Sequence, residues 1–125
     1  MPEPTAPVVS VVEDDEEMRN AIRRVLEMAG YMTRLYDSAE AFLESGATAP
    51  AACLVVDIRL PGISGVELHQ RLRSAGSRVP TVFVTAYDDW HRRGLSLDEN
   101  DACLVKPFPA ETLIQAVSRT LGAPQ

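Results

Sequence analysis

Asp57 ends the apolar run Ala52-Cys53-Leu54-Val55-Val56, and Glu13 and Asp14 end an earlier one, Val8-Val9-Ser10-Val11-Val12. A buried strand that runs out into solvent presents its last side chains at the sheet edge, so parallel strands finishing in acids would gather these carboxylates. Like charges held that close require a cation or a proton. Two later runs end in Thr85 and Lys106, a hydroxyl donor and an ammonium, which are the groups wanted around an incoming phosphoryl group. The pattern reads as a magnesium-binding, phosphate-handling site.

The elements that must position these groups alternate along the chain. Residues 1–7 carry Pro2, Pro4 and Pro7 and form a leader expected to be flexible. Val8 to Val12 is a β-branched strand buried on both faces. From Glu16 to Ala29, Met18, Ala21, Ile22, Val25, Leu26 and Ala29 recur at helical spacing, and Gly30 closes the run. Tyr31 to Tyr36 reads as a second strand, Ser38 caps a short helix, and Ala52 to Val56 is the third strand. Pro61 and Gly62 then prevent the strand from continuing, and Ser64 with Glu67 forms a capping box for a helix to about Ala75. Thr81 to Thr85 and Ala102 to Val105 are two more strands, and Pro109 opens a last helix with Leu113, Ile114, Val117 and Leu121 on one face. Between Asp88 and Asp101 a fourth helix is expected, weakened by Gly94, Asp98, Glu99, Asn100 and Asp101.

Alternating strands and helices imply right-handed crossovers and a parallel sheet covered on both faces, an α/β doubly wound architecture. In such sheets ligands bind beyond the carboxyl ends of the strands, where Glu13, Asp14, Asp57, Thr85 and Lys106 all fall. A chain of 125 residues with 46% hydrophobic residues suits a single domain. Its formal net charge of −6 argues against a standing nucleic-acid or anionic-membrane surface and favours a protein partner. No apolar stretch is long enough for a membrane span and no signal peptide is evident, so a cytoplasmic location is expected. Cys53 and Cys103 are expected on strands separated by an intervening strand, about 9 to 10 Å apart and too far for a disulfide. His69 and His91 read as solvent-facing helix residues.

Glu13-Asp14 after strand one, Asp57 with the loop Ile58-Arg59-Leu60-Pro61-Gly62-Ile63-Ser64-Gly65, Thr85-Ala86 after strand four and Lys106-Pro107-Phe108 after strand five together resemble the receiver domain of two-component response regulators. The resemblance runs from Val8 to Leu121. It implies a five-stranded flavodoxin-like fold of strand order 2-1-3-4-5, with Asp57 as the acceptor of a phosphoryl group from a sensor histidine kinase or phosphotransfer protein. Asp14, Asp57 and the Arg59 backbone carbonyl would bind Mg²⁺ directly, with Glu13, in place of the more usual Asp, acting through a coordinated water. Lys106 would pair with Asp57 and then with the phosphoryl group, Thr85 would donate a hydrogen bond to it, and Lys106-Pro107 would be a cis peptide. Added charge at Asp57 would draw Thr85 inward and change a surface read by a downstream protein or effector domain. The region after Thr85 commonly forms the family's output or dimer surface, which admits a phosphorylation-dependent homodimer.

The chain departs from the family at Cys103, where an aromatic residue usually changes rotamer with the threonine. Coupling is expected instead through Tyr87, Trp90 or backbone displacement. The bulk of Arg59 and Tyr87 suggests slow self-hydrolysis. Such a domain is a switching module rather than a metabolic enzyme, either standing alone or regulating a DNA-binding effector of a longer transcriptional regulator. A magnesium-dependent phosphohydrolase of the haloacid-dehalogenase type would want an acid where Arg59 stands. A flavin carrier would need a phosphate loop where Glu13 to Glu17 would repel phosphate.

Overall fold

The computed structural model describes residues 7–45, 51–86, 97 and 101–121. Among them, five strands, β1 (Val8–Val12), β2 (Met32–Tyr36), β3 (Cys53–Asp57), β4 (Thr81–Thr85) and β5 (Ala102–Val105), form one parallel sheet of order β2-β1-β3-β4-β5. The helices are α1 (Glu16–Met28), α2 (Ala39–Glu44), α3 (Gly65–Ser74) and α4 (Ala110–Thr120). The expected doubly wound fold is therefore present. The expected helix over 88–101 and the coupling residues Tyr87 and Trp90 lie outside the described residues, apart from Leu97 and Asp101, as do residues 1–6 of the leader.

The period of two along each strand divides the core. Val9, Val11, Cys53, Val55, Val82 and Val84 pack against Ile22 and Leu26 of α1 and Leu113, Ala116 and Val117 of α4. Their neighbours Val12, Leu54, Val56 and Phe83 pack on the other face against Ala39 and Phe42 of α2 and Leu68 and Leu72 of α3. Because both faces are covered, β1, β3 and β4 are mostly apolar at successive positions, interrupted by the buried Ser10 in β1 and by Asp57, Thr81 and Thr85 at strand ends. Beyond the core edge the same alternation continues: Glu13 follows Val11, Asp57 follows Val55 and Lys106 follows Leu104, all toward the α1/α4 face. Thr85 follows Phe83 toward the opposite face.

The helix ends are set locally. Asp15, Ser38 and Ser64 each accept a backbone N–H of the first turn, from Glu17, Ala41 and Glu67 respectively. Glu16 and Glu17 follow the Asp15 cap in the first turn of α1, where the helix dipole favours acids. Gly30 and Gly76 follow α1 and α3 with φ of 98° and 92°, the left-handed stop that glycine adopts without strain. Pro109 stands one position earlier than expected, at the N-cap of α4 rather than inside its first turn.

His69 corrects the sequence-based expectation. It is buried, its Nε2 lies 3.0 Å from Asp101 Oδ2, and its ring meets the edge of Phe83 with centroids 5.1 Å apart. Asp101 also accepts from Arg73 at 3.2 Å and from the Thr81 backbone N–H at 2.9 Å. A lone histidine on a helix reads as solvent-facing, but an acid from before β5 with a buried side chain gives His69 a partner, and a paired polar group can be buried. Cys53 and Cys103 are free thiols, as expected, with Cys53 Sγ 3.3 Å from Thr120 Oγ1.

Gly65 makes the link from β3 to α3 possible. Its N–H donates to Ile58 O at 2.9 Å, and a Cβ there would overlap the Asp57 carbonyl oxygen. Gly65→Ala must push the end of β3 away from α3, an overpacking that costs about 1–3 kcal/mol. Urea unfolding is the measurement, with the expected result a lower midpoint at unchanged slope.

Candidate functional site

The strand register assembles the site. Val12 lies beside Val56, and Thr85 beside Val105, so the residues that follow β1 and β3 emerge side by side at the sheet's carboxyl edge. Glu13, Asp14, Asp57, Arg59 and Lys106 all line one open cleft of about 520 Å³, with Asp15, Leu60, Pro61 and Ala86 completing its walls. Carboxylate oxygens of Glu13, Asp14 and Asp57 lie within 4.8 Å of one another. Glu13 and Asp57 are buried, at 1% and 6% exposure, whereas Asp14 is exposed.

Lys106 joins the acids. Its ammonium donates to Asp57 Oδ2 at 2.9 Å and to Glu13 Oε1 at 3.3 Å. Burial alone would lower the lysine's proton affinity, but the hydrogen bond and charge of Asp57, reinforced by Glu13, outweigh it and hold Lys106 above its ordinary range. The cis Lys106-Pro107 peptide follows directly. Asp57 Oδ1 accepts the Arg59 backbone N–H at 2.9 Å, so both carboxylate oxygens have donors.

Glu13 is held from three sides. Its N–H donates to Tyr36 O at 3.0 Å, its carbonyl accepts from Arg19 at 2.9 Å, and its Oε2 accepts the Asp15 N–H at 3.1 Å. Burial, and then the charge of Asp57, push its carboxyl up to about 7, against the opposing pull of the Asp15 amide and Lys106. One ammonium does not neutralise this group of acids. An all-oxygen donor set with excess negative charge suits a hard divalent cation such as Mg²⁺.

Thr85 stands apart from the other expected residues. It is 0% exposed, does not line the cleft, and among the described residues its Oγ1 has no hydrogen-bond partner. A buried hydroxyl left unpaired is costly, and its place at the end of β4, beside the cleft-lining Ala86, leaves it a donor next to the acid site. Sequence reasoning did not single out Arg19 or Tyr36, whose guanidinium and backbone carbonyl respectively bond the backbone of Glu13. Their side-chain types carry no chemical signature, and their roles come from the folding of α1 and β2 beside β1.

Among the described residues no helix is long and apolar enough to cross a membrane. The family profile "Response regulator receiver domain" matches residues 9–118. The chain is similar to the transcriptional regulatory protein FixJ of Azorhizobium caulinodans, 34% identical over 116 residues that make up 91% of this chain and 54% of that protein. It is similar in structure to the response regulator StyR, with a TM-score of 0.80 and 33% identity over 94% of this chain and 60% of that one. For the crystal structure of FixJ-N the TM-score is 0.81 and the identity 28%, over 97% of this chain and 98% of that one. The chain spans about half the length of the curated relatives it matches. With the profile covering most of its length and the sheet order that of those receivers, the chain belongs to the receiver-domain family of two-component response regulators.

Proposed function

We propose that the chain acts as one receiver domain that takes a phosphoryl group onto Asp57 from a phosphohistidine of a sensor histidine kinase or phosphotransfer protein, and so switches a surface read by a downstream protein or effector domain. The observation that carries this reading is the Lys106–Asp57 pair at 2.9 Å in a cleft shared with Glu13 and Asp14. A carboxylate is a weak nucleophile, so the chain's contribution is positioning and charge neutralisation. Asp57 attacks phosphorus, the phosphorus–nitrogen bond breaks, and the electron pair leaves with the imidazole. Lys106, already on Asp57 Oδ2, is placed to turn its ammonium to a phosphoryl oxygen, while the Arg59 N–H keeps Asp57 oriented. Asp14, Asp57 and the Arg59 carbonyl would hold Mg²⁺, with Glu13 behind them. When bound, the ion supplies the positive charge that lets two anions meet.

The unpaired Thr85 hydroxyl motivates the switching half of the reading. A phosphoryl oxygen offers it an acceptor, and moving toward that acceptor displaces the end of β4 and the segment after it. The domain works in the cytoplasm on this account, where the kinase's phosphohistidine is available, and a homodimer through the displaced surface is compatible with it. The matched relatives named as transcriptional regulators favour a second, nested reading in which the receiver controls a DNA-binding effector.

Incubation with acetyl phosphate and Mg²⁺ is expected to add one phosphoryl group, read by mass spectrometry. Asp57→Asn or chelation of the metal abolishes the addition; phosphorylation of the Asn variant to the wild-type extent would exclude Asp57. Thr85→Ala is expected to be phosphorylated yet to lose the change in amide exchange that phosphorylation causes in the wild type beyond β4.

Glu13 gives a pH dependence of defined sign. Its carboxyl is raised from 4.5 to about 7, so the fold holds this proton more tightly than the unfolded chain does. In chelator, Glu13 therefore contributes less stability as pH rises through that interval. Glu13→Gln should gain stability relative to wild type over the same interval, which thermal unfolding at a series of pH values measures. A difference that does not change with pH contradicts the assignment.

A further inference from the structure

The loop between β3 and α3 carries Arg59, whose N–H orients Asp57, and it has a tether from across the fold. Glu40, in the first turn of α2, accepts the Ile63 backbone N–H on Oε2 at 2.9 Å. A second feature meets the same carboxylate: Gly62 has a φ of 76°, and a Cβ there would overlap Glu40 Oε2. The loop thus gives up a side chain at Gly62 and turns its next amide toward the acid. The two ends of the loop are fixed by their own elements, with Ile58 N–H on Val84 O at 3.0 Å and Gly65 N–H on Ile58 O at 2.9 Å. Between them, Ile63 packs against the α2/α3 core cluster while its amide is on Glu40.

We infer that Glu40 is a positioning residue for phosphoryl acceptance: its carboxylate latches the Pro61-Gly62-Ile63 turn, and through that turn holds Arg59 where its N–H engages Asp57. This inference rests on Asp57 being the phosphoacceptor. A helix-start acid needs no partner outside its own helix. Here the Ile63 amide, followed by Glu40's own backbone N–H, holds the Glu40 carboxyl below its ordinary range. The latch also makes α2 a second input to the site, since a displacement of α2 is transmitted to the loop without touching the cleft.

The test compares wild type, Glu40→Ala and Glu40→Gln, the amide side chain retaining an oxygen acceptor. With saturating acetyl phosphate and Mg²⁺, Glu40→Ala is expected to slow phosphorylation at Asp57 by about threefold to tenfold, a fraction of the full worth of a hydrogen bond to a charged group because Glu40 acts through the loop and not on the reacting atoms. Glu40→Gln should restore most of the rate. Exchange of the Ile63 amide should accelerate in Glu40→Ala while that of Val55 in β3 is unchanged, which separates loss of the latch from general unfolding. A wild-type rate in Glu40→Ala, an unaltered Ile63 amide, or a Gln variant as slow as the Ala variant each overturns the latch. If wild type itself accepts no phosphoryl group, the phosphoacceptor reading fails first and takes the latch's role with it.

Discussion

Carboxylates from two strand ends share one cleft, and their mutual repulsion is the constraint to which the rest of this domain answers. Lys106 bridges Asp57 and Glu13, yet one ammonium leaves excess negative charge on Glu13, Asp14 and Asp57. The arrangement is tolerable because the acids stand where a sheet core meets water, with backbone amides from Asp15 and Arg59 directed at them. On the proposed reading the same surplus of negative charge favours a hard cation, and a bound cation would let the pocket accept an anionic phosphoryl group.

The parallel sheet converts sequence separation into proximity. Glu13 and Lys106 are 93 positions apart, and Asp57 and Lys106 are 49 apart, yet each pair is in contact because β1, β3 and β5 end at one edge. Both faces of the sheet must be covered for this to work, and the two clusters of aliphatic side chains do so with α1 and α4 on one side and α2 and α3 on the other. Close packing then makes the edge stiff. Gly65 against the Asp57 carbonyl and Glu40 on Ile63 hold the loop that orients Asp57. Thr85, buried on the opposite pleat and without a hydrogen-bond partner for its hydroxyl among the described residues, would gain from a new acceptor on the proposed reading.

The opposite end of β4 and β5 has a contrasting polar cluster. Asp101 is surrounded by His69, Arg73 and the Thr81 amide, so its charge is met by donors within the protein. A satisfied cluster of this kind ties α3 to the starts of β4 and β5. The acid cleft at the other end sets the carboxylates of Glu13, Asp14 and Asp57 against the Lys106 ammonium. That difference in satisfaction, not the number of acids, separates the structural cluster from the candidate functional one.

Much of the fold was legible in the chain because its signals are local. β-branched runs, helical spacing from Met18 to Leu26, the caps Ser38 and Ser64 and the stops Gly30 and Gly76 each report the conformation of a few neighbouring residues. Candidate chemistry was legible because Glu13, Asp14, Asp57, Thr85 and Lys106 sit at the ends of apolar runs, and a parallel sheet has a defined edge for such ends. What sequence did not reveal was pairing between distant segments. His69 reads as a surface residue until Asp101 is placed beside it, and nothing in the sequence ties Glu40 to Ile63 and Gly62, which fold against it. The burial of Thr85 behind the cleft likewise follows from which way the pleat turns at the end of β4. Local preferences determined the elements and the identity of the candidate site residues. Only tertiary packing decided which acids are neutralised, because a charge's partner is set by proximity in space, which chain order does not encode.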